Sequence, residues 1–397
     1  MRILLVSDFY PPAPGGLEAH VRRLAETLIR RGHDVGLVSG TPNPDPLPGG
    51  ALAHYAPTIF SRAPGVYANT GQQYPPPFAD PVFRQAVRQV AESWKPDIVH
   101  AHGWCSFSSY WPGAPPLIVT LHDHGLRCPK RTLLRARTEC GRGSGLACIT
   151  CTGDQSAAKR AGLAGAMHWS VPKLAAHASK FITVSHSVAR RAAQGGVAWS
   201  KITVIPNFFD TASIRPGVAP AKPTVLFVGP DSPHKGRSVA VAAFNRLAAG
   251  TATLMLVGSD TPVNADGVVN IGYLHGEELR EQYRRATIAV VPAVWPEPCP
   301  TVLLEEMAHG LPVIGSRIGG IPDLIEDGSS GLLVPPDEPA RLANSMQALL
   351  ADRELRDKLA AGARERSLKF DTEVVVPQIL NVYESTLGTS TPEGAHS

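Results

Sequence analysis

Two carboxylates eight residues apart frame the segment Glu297-Pro298-Cys299-Pro300-Thr301-Val302-Leu303-Leu304-Glu305. Val290-Val291-Pro292-Ala293-Val294-Trp295-Pro296 precedes it, and Glu306-Met307-Ala308-His309-Gly310-Leu311-Pro312-Val313-Ile314 follows. This pattern predicts an apolar strand, a Pro-rich loop and a short helix stopped by Gly310 and Pro312. Glu297 then sits in the loop and Glu305 in the second turn of the helix. Between them the first helical amides lack intrahelical partners and carry the positive end of the helix dipole. A ligand with hydroxyls at both ends and phosphates in its middle fits that arrangement, which describes a nucleotide sugar. Two Glu residues at this spacing say little alone; the strand–loop–helix setting carries the reading.

Other chemistry-bearing residues also fall just after predicted strands. Gly229-Pro230-Asp231-Ser232-Pro233-His234-Lys235-Gly236 follows the strand Thr224–Val228. A cation in such a loop, here Lys235, can neutralise a departing diphosphate. Gly15-Gly16 joins the first strand to the first helix, where glycines let backbone approach a ligand at an anion-attracting helix start. His122 ends the strand of Thr120-Leu121-His122-Asp123. His100, His102 and His124 read as structural or acceptor-side, and their spacing does not demand a metal. Ser185-His186 and Asn207 read equally well as turn and cap residues or as ligand contacts.

Cys128, Cys140, Cys148 and Cys151 fall within 24 residues in a chain of six cysteines. Cys148-Ile149-Thr150-Cys151 is a Cys-x2-Cys knuckle, and Gly141, Gly143 and Gly145 supply turns. Four thiolates suit a closed, structural tetrahedral zinc site. An iron–sulfur cluster, redox disulfides and unligated buried thiols are the alternatives. The same segment is basic, with Arg127, Lys130, Arg131, Arg135 and Arg137 against Glu139. It suits a phosphorylated acceptor or peripheral contact with an anionic membrane, or is simply a solvated face.

The elements that must position these residues alternate strand and helix. Arg2–Ser7 is followed by Leu17, Val21, Leu24 and Leu28 at helical spacing, ended by Gly32. Further apolar runs are Val35–Ser39, Asp97–His100, Leu117–Leu121, Phe181–Ser185, Ile202–Ile205, Val225–Val228, Leu254–Val257, Ile288–Val291 and Val313–Ile314. Near-continuous apolar strands between amphipathic helices imply parallel sheets covered on both faces. At 397 residues the chain fits two domains. The expected fold is α/β, two doubly wound Rossmann-like domains facing a cleft. The expected domains are 1–212, carrying the cysteine insert at 127–153, and 223–375. A C-terminal helix and tail, 376–397, return to the first domain. Arg215-Pro216-Gly217-Val218-Ala219-Pro220-Ala221-Lys222-Pro223 reads as the linker. Hydrophobic content of 43% and charged content of 18% exclude a disordered chain, and a net charge of +4 is too small to argue for nucleic acid. No apolar stretch reaches membrane-spanning length and no signal peptide is recognisable, so a cytoplasmic protein is expected.

These motifs together resemble the family 4 retaining glycosyltransferases of the GT-B fold, over nearly the whole chain and in the subset with a cysteine-containing insert. The resemblance implies that Glu297 grips the donor sugar and Glu305 the ribose hydroxyls. It places Cys299 against the donor and the amides of Thr301 and Val302 on the diphosphate. Family members carry Phe-Gly where this chain has Cys299-Pro300, and Pro300 offers no N–H. They carry Arg where this chain has Pro230; Arg237 or His234 is the expected substitute, while Lys235 matches the family lysine. His122 matches a histidine that contacts the donor sugar, and Gly15-Gly16 a turn against phosphates and acceptor. The implied reaction moves a hexosyl group from a UDP- or GDP-sugar to a small-molecule, lipid-linked or polysaccharide acceptor, with no catalytic cofactor. An inactive sugar-nucleotide-binding protein and a GT-B-type epimerase or phosphorylase are the rival readings.

Overall fold

The computed structural model describes residues 1–61, 75–135, 138–141, 148, 150–151, 156–211, 214 and 222–388. Two compact units emerge. The first is Met1–Leu133, Cys140–Pro206 and Val376–Ser397; the second is Leu134–Glu139 and Asn207–Val375. The division at Pro206–Asn207 precedes the sequence-based boundary at 212. Its reason is local: the Phe209 amide bonds the Phe370 carbonyl at 3.0 Å, and the Thr211 amide bonds Asp371 Oδ2 at 3.0 Å. The expected insert at 127–153 is split between the units. The linker core 215–221, together with Arg137, Gly143, Gly145 and Ile149, lies outside the described residues.

The chain begins β1 (Arg2–Ser7), α1 (Gly16–Arg30), β2 (Asp34–Ser39), β3 (Ala53–Tyr55), α2 (Pro81–Trp94), β4 (Ile98–His102) and β5 (Leu117–Leu121). A two-residue antiparallel pair follows, β6 (Leu134–Arg135) and β7 (Thr138–Glu139). Then come α3 (Ala157–His177), β8 (Lys180–Thr183), α4 (His186–Gln194) and β9 (Ile202–Val204). The seven strands of the first sheet run parallel in the order β3-β2-β1-β4-β5-β8-β9. Ile3 to Val6 are fully buried, as a strand covered on both faces requires. Val21, Leu24 and Leu28 form the buried stripe of α1.

The second unit holds β10 (Thr224–Val228), α5 (Arg237–Phe244), β11 (Thr253–Val257), β12 (Val268–Gly272), α6 (Gly276–Arg285) and β13 (Ile288–Val291). It continues with α7 (Thr301–Ala308), β14 (Val313–Ser316), α8 (Ile321–Leu324), β15 (Leu332–Val334), α9 (Pro339–Ala351) and α10 (Arg353–Ser367). Its six strands are also parallel, in the order β12-β11-β10-β13-β14-β15. Val225, Phe227, Leu254, Ile288 and Ile314 from the strands pack with Ala240, Leu342 and Met346 from the helices.

In both sheets the order reverses beside the first strand, between β1 and β4 and between β10 and β13. Loops leaving the carboxyl ends of such neighbours diverge to opposite faces, which opens a crevice where ligands bind in this kind of sheet. Lys235 follows β10, and Glu297 follows β13. The last helix, α11 (Thr372–Leu387), places the Tyr383 hydroxyl 2.6 Å from His100 Nδ1 on β4. Among the described residues no helix is long and apolar enough to cross a membrane.

Candidate active site

In the second unit the loops after β10 and β13 are locked together by backbone. Gly236 has φ +80°, and a Cβ there would fall 1.8 Å from the Pro292 carbonyl oxygen, so only glycine fits. The Val294 amide bonds the His234 carbonyl at 3.0 Å. This docking brings Lys235 Nζ to 2.8 Å from Glu297 Oε2. The same oxygen accepts the Trp295 indole N–H at 2.5 Å, and the ammonium lies 5.4 Å from the centre of the Trp295 ring. Glu297 is 6% exposed, so its charge is held by these two donors rather than by water.

Behind Glu297 a second glycine makes room. A Cβ on Gly319 would meet the Glu297 carbonyl oxygen at 2.3 Å, and the Gly320 amide bonds that same oxygen at 2.7 Å. Neither Trp295 nor the Gly319-Gly320 turn was singled out from sequence. In the sequence Trp295 is one residue of a Pro-rich loop, and nothing there marks its indole. The turn lies far along the chain, and only the fold brings it to Glu297.

α7 begins at Thr301 with Pro300 as N-cap and no side-chain cap hydrogen bond. Thr301 and Val302 are half-buried, at the helix start expected for them. Glu305 follows in the second turn, where its Oε2 accepts the Tyr283 hydroxyl at 2.9 Å. The structure therefore gathers Lys235, Glu297, Thr301, Val302 and Glu305 around one strand–loop–helix segment.

Three expected contributors are placed differently. Arg237 is 5% exposed, and its guanidinium is held by the Thr261 carbonyl at 2.5 Å, Asn270 Oδ1 at 2.7 Å and Asp231 at 3.0 Å. Those bonds would have to break before it met a phosphate. His234 is no substitute cation either: burial, then the neighbouring Lys235, pulls its pKa below the usual 6.5. Cys299 is buried, with burial pushing its thiol up to about 12. Asn207 Nδ2 holds its carbonyl at 2.8 Å, so Asn207 acts within the second unit instead of the first. Lys235 thus carries the positive charge of this loop.

The first unit builds its own cluster at the carboxyl ends of β1, β4 and β5. Gly15 caps α1 in a backbone region open only to glycine, φ +154° and ψ 168°, and a Cβ there would fall 2.1 Å from Glu18 Oε2. Gly16 is the first residue of the helix. Burial raises the Glu18 carboxyl to about 7. Asp8 is fully buried and accepts the amides of Trp104 at 3.0 Å and Cys105 at 2.7 Å. Arg131 pairs with Asp123 at 2.6 Å, and Arg127 donates to the Gln194 carbonyl at 2.8 Å. Two of the insert's cations are therefore engaged within the protein.

His122 Nε2 lies 3.0 Å from His102 Nδ1. His20, from α1, packs edge-on against His122 with ring centroids 4.6 Å apart. Burial, then neighbouring imidazoles, drives His20 and His102 well below the ordinary histidine pKa, so both are neutral. His100 is bonded on both sides, to Tyr383 and to Thr120 Oγ1 at 2.7 Å. Cys128, Cys140, Cys148 and Cys151 form no disulfide among the described residues. Burial raises the Cys128 thiol, and nearby Cys148 pushes the same way. Among the described residues no group of metal-holding compactness forms from these cysteines; the one that does is His20, His102 and His122.

Residues 14–213 match the model of Glycosyltransferase Family 4, and residues 222–352 that of Glycosyl transferases group 1. The chain belongs to glycosyltransferase family 4. The D-inositol 3-phosphate glycosyltransferase of Acidothermus cellulolyticus is 30% identical to this family 4 chain, over 94% of it and 86% of the relative. A glycogen synthase of Mycobacterium tuberculosis is 29% identical, over 96% and 94% respectively. The sucrose-phosphate synthase of Thermosynechococcus elongatus superposes with a TM-score of 0.76 at 22% identity, covering 98% of this chain and 100% of that one. The Anabaena protein HepE in complex with UDP-glucose superposes at 0.69 and 19%, covering 97% and 100%. The fold of this family 4 glycosyltransferase is GT-B.

Proposed function

We propose that the protein transfers a hexosyl group, with retention of configuration, from a nucleotide-diphosphate sugar to an acceptor hydroxyl. The observation that carries this reading is the Lys235–Glu297–Trp295 group set beside the uncapped start of α7. Glu297 is assigned the hydroxyls of the donor sugar, and Glu305 those of the ribose. The diphosphate lies against the amides of Thr301 and Val302, with Lys235 neutralising the charge that develops as the glycosidic bond breaks. Cys299 contributes the shape of that loop, and its neutral thiol leaves the local charge to Lys235. His122 is assigned the donor sugar from the first unit, and Gly15-Gly16 the phosphate and acceptor side. A UDP-sugar is the leading donor and a GDP-sugar the alternative; HepE, at 19% identity, was solved with UDP-glucose. The acceptor is a small molecule, a lipid-linked sugar or a polysaccharide.

Incubation with UDP- and GDP-sugars and a panel of such acceptors tests the reading. Release of the nucleoside diphosphate coupled to an α-linked product from an α-linked donor is the expected result. Tight nucleotide binding without release, or return of an epimerised donor, would replace transfer with one of the rival activities.

A further inference from the structure

α1, β4 and the end of β5 each deliver one imidazole to the same point of the first unit. One ligand-capable nitrogen from each of His20, His102 and His122 lies within 4.8 Å of the others. We propose that these three histidines hold one divalent transition-metal ion, zinc by preference. The observations behind it come from the first unit alone, and it bears on the proposed function because His122 has a part in both.

The donor set selects the ion. Imidazole nitrogens suit zinc, cobalt and copper, whereas magnesium and calcium demand oxygen ligands. Two nitrogens each bound at 2.0–2.1 Å to a tetrahedral zinc lie about 3.3 Å apart. His102 Nδ1 and His122 Nε2 are already 3.0 Å apart. That pair needs little movement, and the third nitrogen, within 4.8 Å of both, must close by about 1.5 Å at most.

The surroundings also fit. His102 is fully buried and His20 is 3% exposed, so neither ring must be drawn in from solvent. The His100 ring lies 4.1 Å from the His102 ring, centroid to centroid, but Tyr383 and Thr120 occupy both of its nitrogens. It therefore packs against the ligands without joining them. Three protein ligands leave the fourth tetrahedral position to an oxygen from water or a hydroxyl, the arrangement of an open rather than a closed zinc site.

The test is metal loading of the chelator-stripped, full-length protein. Titration with zinc, followed by calorimetry, should give one equivalent per chain. Cobalt loading should give visible ligand-field bands without thiolate-to-metal charge transfer, since no sulfur is a ligand. A change in the second shell of a metal site weakens binding about 10–100-fold, so losing a ligand in His20→Gln or His102→Ala should weaken it more than that. Cys128→Ser and Cys148→Ser together should leave the titration unchanged. Absence of binding by the folded wild-type protein overturns the proposal. So does a cobalt spectrum dominated by thiolate charge transfer, which needs no folded variant to read. Unchanged binding in folded His20→Gln would do the same.

Discussion

The carboxylate of Glu297 and the ammonium of Lys235, 62 residues apart in sequence, meet at 2.8 Å. Their contact depends on a position that carries no side chain. Gly236 lets the two loops touch backbone to backbone, and any Cβ would collide with Pro292.

Gly236→Ala is therefore expected to destabilise the protein and separate the pair. A left-handed backbone costs a non-glycine residue roughly 1–2 kcal/mol, before the collision is counted. Thermal melts should show the midpoint falling by several degrees, and turnover should fall further than stability explains. An unchanged melt would mean that the loops separate without cost.

Under the proposed function, Lys235→Ala removes a charge whose value is greatest as the bond to the sugar breaks. The expected loss is about 100- to 1,000-fold in kcat, the range for removing one transition-state electrostatic contact, with a smaller effect on donor affinity. A change confined to KM would assign Lys235 to ground-state binding.

Trp295→Phe keeps the ring beneath Lys235 and deletes the indole N–H that Glu297 accepts. Loss of that bond should cost about 1–3 kcal/mol of donor binding or transition-state stabilisation. Glu297→Gln should behave more severely, because it also removes the partner of Lys235. Their double mutant should show less than the summed effect, since both changes act on one carboxylate. Full additivity in a double-mutant cycle would show the two residues acting separately.

Glu306, next to Glu305 on α7, is fully buried, and neither of its carboxyl oxygens has a hydrogen-bond partner among the described residues. Burial first, then the Glu305 charge, raises its pKa well above the usual 4.5. The folded protein thus keeps a proton that the unfolded chain releases above pH 4.5, so stability falls as pH rises from there toward the raised value. Glu306→Gln removes that dependence. Its melting temperature should exceed that of the wild type at pH 7 and converge with it near pH 4. Each pKa unit contributes about 1.4 kcal/mol. Parallel melting curves at every pH would show that Glu306 is ionised in the folded state.

Most strands legible in the sequence are buried on both faces; β9, a half-exposed edge strand read from its apolar run, is an exception. β1, β4, β5, β10 and β13 read as continuous apolar runs because each lies inside its sheet. β3, β12 and β15 went unread. Each is an edge strand with one or more half-exposed or exposed positions, so no such run marks it. In the candidate site, Glu297, Glu305 and Lys235 were legible from residue type beside predicted loops. Trp295, Gly319 and the engagement of Arg237 were not, since each depends on distances across the fold. His20 hid inside an amphipathic helix, where its spacing matched the buried stripe as well as any leucine.

The bond from Tyr383 to His100 ties one of the last helical turns to the fourth strand of a sheet begun at residue 2. The first unit is therefore discontinuous in order of synthesis. When the ribosome has released residues 1–206, His100 still lacks its phenol partner, and the whole second unit must be translated before it arrives. Domains generally fold as units while the chain emerges. Here the second unit, contiguous from Asn207 to Val375 apart from one short segment of the insert, has all its remaining strands before the first unit is complete. A premature stop ahead of Tyr383 would thus strand an N-terminal sheet with an unfinished core while sparing the sheet translated after it.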